Sequence, residues 1–121
     1  MDLTTLDIQQ ARIKQILFKS QLRSVLYGVR EADENLFSPQ NNALGLWLST
    51  EVKPRYPNRP EVREAERLLQ HLLATGRELA AQYRQGQIDE ARRGLTRIEQ
   101  VGEELVAVLQ RLSTQPPKLA A

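Results

Sequence analysis

The chemistry open to this sequence is narrow. Its 121 residues include no cysteine and one histidine, His71. Without a thiol there can be no disulfide framework, thiolate nucleophile, iron–sulfur cluster or Cys-based zinc site. A single imidazole excludes His-rich metal sites and makes most acid–base constellations hard to build. Paired carboxylates come next, at Asp89-Glu90 and Glu103-Glu104. Adjacent residues on a helix point in different directions, so neither pair is placed to hold a metal or run acid–base chemistry. The di-metal signature of helical bundles needs a glutamate three residues before a histidine. Position 68 is Leu68, so that signature is absent. The expectation is a non-enzymatic chain with no catalytic residue, no metal and no cofactor.

Two further features could bind something. Trp47 could stack on a ligand, although a lone tryptophan on a short apolar helix reads more simply as core. Pro54, Pro57 and Pro60 bracket Arg55, Tyr56 and Arg59, a stiff Arg/Tyr-bearing segment. It could contact a partner, or act as a rigid spacer over the end of the fold. Seventeen basic residues against fifteen acidic ones give a net charge of only +2. The charges interleave, as in Arg63-Glu64, Glu66-Arg67 and Arg77-Glu78, like those of solvated helix faces. No basic stripe with stacking aromatics is present, so nucleic acid is not an expected partner. No run approaches the roughly 18 apolar residues of a membrane span, and Met1 to Thr5 lacks the features of a signal peptide. A cytoplasmic, membrane-free protein is expected.

The elements that must position these residues follow from periodicity and punctuation. A first helix is predicted from about Leu3 to Gly28, with Thr4 and Asp7 at capping-box spacing. Leu6, Ile13, Ile16, Leu17, Phe18, Leu22, Val25 and Leu26 cover more of it than one buried stripe needs, which points to several neighbours or a partner subunit. Loops are expected at about 30–38 and 50–59. Between them Ser38-Pro39 would start a short helix running to about Ser49 and burying Leu44, Trp47 and Leu48. A third helix starts near Pro60, with Val62, Ala65, Leu69, Leu72, Gly76, Leu79 and Tyr83 in steps of three and four. Gly86 sits where a C-cap needs positive φ. A fourth helix repeats the pattern from Ile88 through Ala91, Leu95, Ile98, Gly102, Leu105, Leu109 and Leu112. Gly76 and Gly102 fall on core-facing positions that would permit close approach. The reading is all-α: an up-and-down antiparallel four-helix bundle with a short second helix. One domain spans residues 1–113, and 114–121 form a tail after Pro116-Pro117.

The first helix carries Ala11-Arg12, Ile16, Phe18-Lys19, Leu22 and Leu26-Tyr27-Gly28, and the second Asn42-Ala43-Leu44-Gly45-Leu46-Trp47-Leu48. Leu69, Leu72-Leu73, Gly86 and Glu90-Ala91 follow on the third and into the fourth. Together these segments, over residues 8 to 112, resemble the chemoreceptor zinc-binding domain, a bacterial four-helix signalling module. In that family one cysteine and three histidines bind zinc. Here the resemblance places those positions on Ile16, Asn42, Leu69 and Leu73, none of them a competent zinc ligand. The implied module is metal-free, with hydrophobic packing at the former site and a polar Asn42 that needs a backbone or water partner.

What the resemblance implies is a cytoplasmic signalling or regulatory module working by association, as a homodimer or with a signalling-protein partner. Two alternatives stand beside it. His71-Leu72-Leu73-Ala74-Thr75-Gly76 partly resembles a phosphorylatable His-x-x-Lys-Gly segment, although the lysine is missing and the glycine is one residue late. That would make the chain a phosphotransfer adaptor with His71 as phosphoacceptor. A bundle sensing a small molecule in an apolar cavity is the other.

Overall fold

The protein is described by a computed structural model over residues 3–114. Every element in that span is helical, and no strand occurs among the described residues. Helix α1 spans Thr5–Leu26. It begins where the sequence signals it should: the Thr4 hydroxyl accepts from the Asp7 amide at 3.1 Å, and the Asp7 carboxylate accepts from the Thr4 amide at 2.9 Å. Two of the orphan amides at the helix start are thereby satisfied by one reciprocal pair.

The connection after α1 is more ordered than its polarity suggests. The expected loop at 30–38 contains a helical turn, α2, over Glu34–Phe37. Asp33 caps it by accepting from the Asn35 amide, and the turn drives Leu36 and Phe37 into the core. Those two apolar residues, hidden in a polar stretch, supply the burial that fixes the segment. The short helix also starts later than Ser38-Pro39. Helix α3 spans Ala43–Trp47 with Asn42 as its N-cap. The Asn42 Oδ1 accepts from the amides of Leu44 (2.9 Å) and Gly45 (3.4 Å), while its Nδ2 donates to the Leu36 carbonyl at 2.7 Å. A serine offers one hydroxyl, whereas an asparagine amide can cap the helix and hold the preceding turn together. A π-helical turn, Leu48–Val52, prolongs α3 into the region expected to be a loop, burying Leu48 and Val52.

The second half follows its pattern closely. Helix α4 spans Pro60–Arg84, with proline in its first turn where the missing amide costs nothing. Gly86 takes φ +88° and reverses the chain, as positive φ at that position requires. The expected fourth helix is split at Gly94 into α5 (Ile88–Arg93) and α6 (Leu95–Thr114). The side chain of Leu79 on α4 presses against Gly94, in the space a Cβ would occupy. The anticipated tail at 114–121 lies, after Thr114, outside the described residues.

The direction of each helix follows from its contacts. Lys19 pairs with Glu99 at 2.5 Å and Arg92 donates to the Leu26 carbonyl at 2.8 Å, so α1 runs antiparallel to α5–α6. Arg55 reaches Asp7 at 3.3 Å, so the chain from α3 to residue 55 runs back along α1. Gly76 lies beside Phe18, Phe37 and Leu22, and Gly28 beside Tyr83, so α1 and α4 are parallel. The result is an up-down-up-down bundle whose second helix is the short α3 and its π turn. Its centre is aliphatic, with Leu22, Leu26, Leu72, Ile98, Leu105 and Leu109 fully buried beside Phe18. Trp47 belongs to this core and is not offered to a ligand. No described helix is long and apolar enough to cross a membrane.

Candidate functional site

Helix α1 is apolar on two opposite sides. Its inner side buries Ile8, Ala11, Gln15, Phe18, Leu22, Val25 and Leu26 against the bundle. Its outer side carries Leu6, Ile13, Ile16 and Leu17 at 65%, 64%, 60% and 46% exposure. At 3.6 residues per turn, Leu6, Ile13 and Leu17 share one narrow arc with Ile16 at its edge, facing away from Gln15 and Phe18. The surplus of apolar residues noted in the sequence is therefore not absorbed by neighbouring helices. Leu46, 51% exposed, adds to the apolar surface of the adjacent α3. An open groove of about 230 Å³ lies between the two elements, where Leu17 and Ala43 are joined by the polar Gln21, Arg30, Asp33, Asn35 and Asn41. The α1 sequence held the signal for this face, but Leu46 carried none: its exposure depends on how α3 is set by Asn42.

This geometry corrects the reading of Ile16. It was expected to join Leu69 and Leu73 at a dry centre beside Asn42. Instead it points outward, because Gln15 and Phe18 occupy the inward positions of that turn. Gln15 fills the space left by the absent side chain of Gly102, so the core-facing glycine receives a polar side chain in place of a closer helix. Leu69 and Leu73 are buried, and Asn42 is buried with both ends of its amide bonded to backbone. One outward isoleucine, two aliphatic side chains and a committed amide do not fit a zinc ion. Among the described residues no group of three His, Asp or Glu side chains could hold a metal.

The Arg/Tyr segment turns out to be internal structure. Tyr56 is 6% exposed, and its hydroxyl accepts from the Leu3 amide at 2.7 Å in a buried bond. It is not available as a partner contact. Arg55 is shared between Asp7 and Glu51, and Arg59 pairs with Glu61 at 3.2 Å while lying over the Tyr56 ring. The Asp7 carboxyl is held below the usual carboxylate range, chiefly by the Thr4 backbone amide, then by the Thr4 hydroxyl and Arg55. The Glu61 carboxyl is lowered first by its own backbone amide and then by Arg59. The segment closes one end of the bundle over α1.

His71 is half-buried in an open groove of about 500 Å³ that also touches Thr75, Glu78, Gln82, Glu90 and Arg97. Arg97 Nη2 lies 2.9 Å from His71 Nε2. A guanidinium has only donors, so the ring nitrogen is the acceptor in this contact. At the far end of α1, the exposed Tyr27 ring lies under two guanidinium groups, Arg92 at 4.0 Å and Arg23 at 5.5 Å from its centroid. Nothing in the sequence brought Arg92 to Tyr27; the antiparallel register of α1 and α5 does so. Compared with protein-family models, with curated proteins and with solved structures, the chain matches none.

Proposed function

We propose that this chain is a non-enzymatic regulatory interaction module, working by association through the outer face of α1. The reading is in keeping with its resemblance to the chemoreceptor zinc-binding domain, with the metal replaced by packing at Leu69 and Leu73. The observation that carries it is the set of four aliphatic side chains standing in water on a helix whose other side is already buried. Covering the exposed parts of Leu6, Ile13, Ile16 and Leu17 contributes about 3.5–7 kcal/mol on the usual scale for apolar side chains. Association itself costs an estimated 4–15 kcal/mol, so polar and charged neighbours of the stripe must add to it.

A photocrosslinking residue at position 13, compared with one at the exposed Arg67 of α4, tests the reading in the living cell. Association through α1 gives discrete adducts from position 13, to a second copy or to another protein, and few from position 67. Equal labelling from the two positions would overturn it. A phosphotransfer role for His71 is the second reading, supported by the open groove in which the ring sits. Phosphoramidate separates the two: acid-labile phosphate that disappears in His71→Gln supports transfer, and no labelling supports association alone.

A further inference from the structure

Building on association through α1, we propose that the occupant of its outer face is a single acidic amphipathic helix of a partner protein. The spacing comes first. Leu6, Ile13, Ser20 and Tyr27 recur every seven residues, with Ile16 and Leu17 between them. A seven-residue repeat along one side of a helix is the spacing of a seam into which another helix inserts, and its intervening positions here are Gln9, Ile16 and Arg23. The size agrees. From Leu6 to Tyr27 the seam is about 30 Å long and about one helix wide. That gives roughly 300 Å², well short of the ~800 Å² per partner that joins two folded domains. It suits one helix laid along another.

Charge selects the partner's sign. Helix α1 carries Arg12, Lys14, Lys19 and Arg23, with Asp7 as its sole carboxylate. Asp7 is committed to Thr4 and Arg55, and Lys19 is neutralised by Glu99. Arg12 and Lys14 flank the seam on opposite sides and form no ion pair among the described residues. Arg23 and Arg92 add positive charge at the Tyr27 end. A second copy docking through the same face would bring these cations again and no free carboxylate of α1. A lipid surface would have to accept Gln9, Gln10 and Ser20 within the apolar arc, where acyl chains offer no hydrogen-bond partner. A helix with glutamates beside its own apolar stripe satisfies both the cations and the amides.

The test is selection from a displayed library of 21-residue helical peptides. These carry leucine at their a and d positions, with flanking positions randomised among Glu, Lys and Gln. Selected peptides are expected to be rich in glutamate and to bind Ile13→Glu at least tenfold more weakly. Against the double variant Arg12→Glu/Lys14→Glu their affinity falls about tenfold, and lysine-flanked peptides gain. Both sites are on the surface, and unchanged circular dichroism confirms that the fold is intact. Binders that require Ile13 but are neutral or basic overturn the acidic helix while leaving association through α1 standing. If no peptide is enriched, or binders ignore Ile13→Glu, the face itself fails and both readings fall. The acidic helix is also overturned by a dimer in sedimentation equilibrium that Ile13→Glu abolishes. Binding to phosphatidylserine vesicles that Ile13→Glu abolishes overturns it too.

Discussion

Removing the Asn42 side chain isolates how one buried amide holds the middle of this fold. In Asn42→Ala the cap of α3 is lost, which costs about 1 kcal/mol. The Leu36 carbonyl also loses the Nδ2 donor that it meets at 2.7 Å. Leaving a buried acceptor unpaired costs a further ~1–3 kcal/mol. The expected loss is about 2–4 kcal/mol, a large fraction of the roughly 5–15 kcal/mol that stabilises a domain. In thermal unfolding it should appear as a drop of roughly 10–15 °C in Tm. Asn42→Ser keeps a capping oxygen but not the donor to Leu36, so it should lose about half as much. Asn42→Asp keeps the cap and sets a carboxylate against the Leu36 carbonyl, so at neutral pH it should be no better than serine. Urea unfolding of the three variants at pH 7 provides the measurement. An alanine variant within 0.5 kcal/mol of the wild type would refute the account. A serine variant as damaged as alanine would show that the cap at Leu44 and Gly45 contributes nothing.

Four further expectations follow from the described contacts. Gly86→Ala should lose about 1–2 kcal/mol in urea unfolding, although nothing lies within 4 Å of the added methyl, because φ +88° strains any side chain-bearing residue. Gly76→Ala meets Phe18 at 2.9 Å and Phe37 at 3.3 Å. Overpacking should outweigh its helix-propensity gain of ~1 kcal/mol and leave a net loss. Tyr56→Phe deletes the acceptor for the Leu3 amide and should cost about 1 kcal/mol, with faster amide exchange at Leu3 in NMR spectra. Asp7 has a depressed pKa in the folded state, so its stabilisation is complete above the ordinary carboxylate range near pH 4 and is lost as pH falls through the lower folded value. Acid unfolding of Asp7→Asn should therefore show a flatter pH dependence below about pH 4 than the wild type.

The architecture was legible where pattern and punctuation agreed. Thr4 with Asp7, Pro60 and Gly86 mark their helix ends through local chemistry, and α4 and α6 bury the residues their three-four spacing selects except Tyr83 and Leu95, which are half-buried. Between Arg30 and Tyr56 the short helix and its buried Leu44, Trp47 and Leu48 were legible, but its start and the order of the two expected loops were not, because these come from distant partners. Phe37 is fixed by Phe18, 6.5 Å away centroid to centroid, and Tyr56 by the amide of Leu3. Helix α1 was only half legible. With apolar residues on two sides, periodicity cannot say which set faces the bundle. The choice falls to Gly76, beside Phe18 and Leu22, and to Gly102, against which Gln15 packs.

The two-sided character of α1 has a consequence during synthesis. Its inner face is covered chiefly by α6 and α4, and Leu112 follows Leu26 by 86 residues. At the usual ~5–20 residues per second of translation, α1 waits roughly 4–17 s for its main cover. Through that interval both of its apolar faces are open, which makes the first helix the segment of the nascent chain most exposed to aggregation. The finished domain still leaves Leu6, Ile13, Ile16 and Leu17 in water on one side of it.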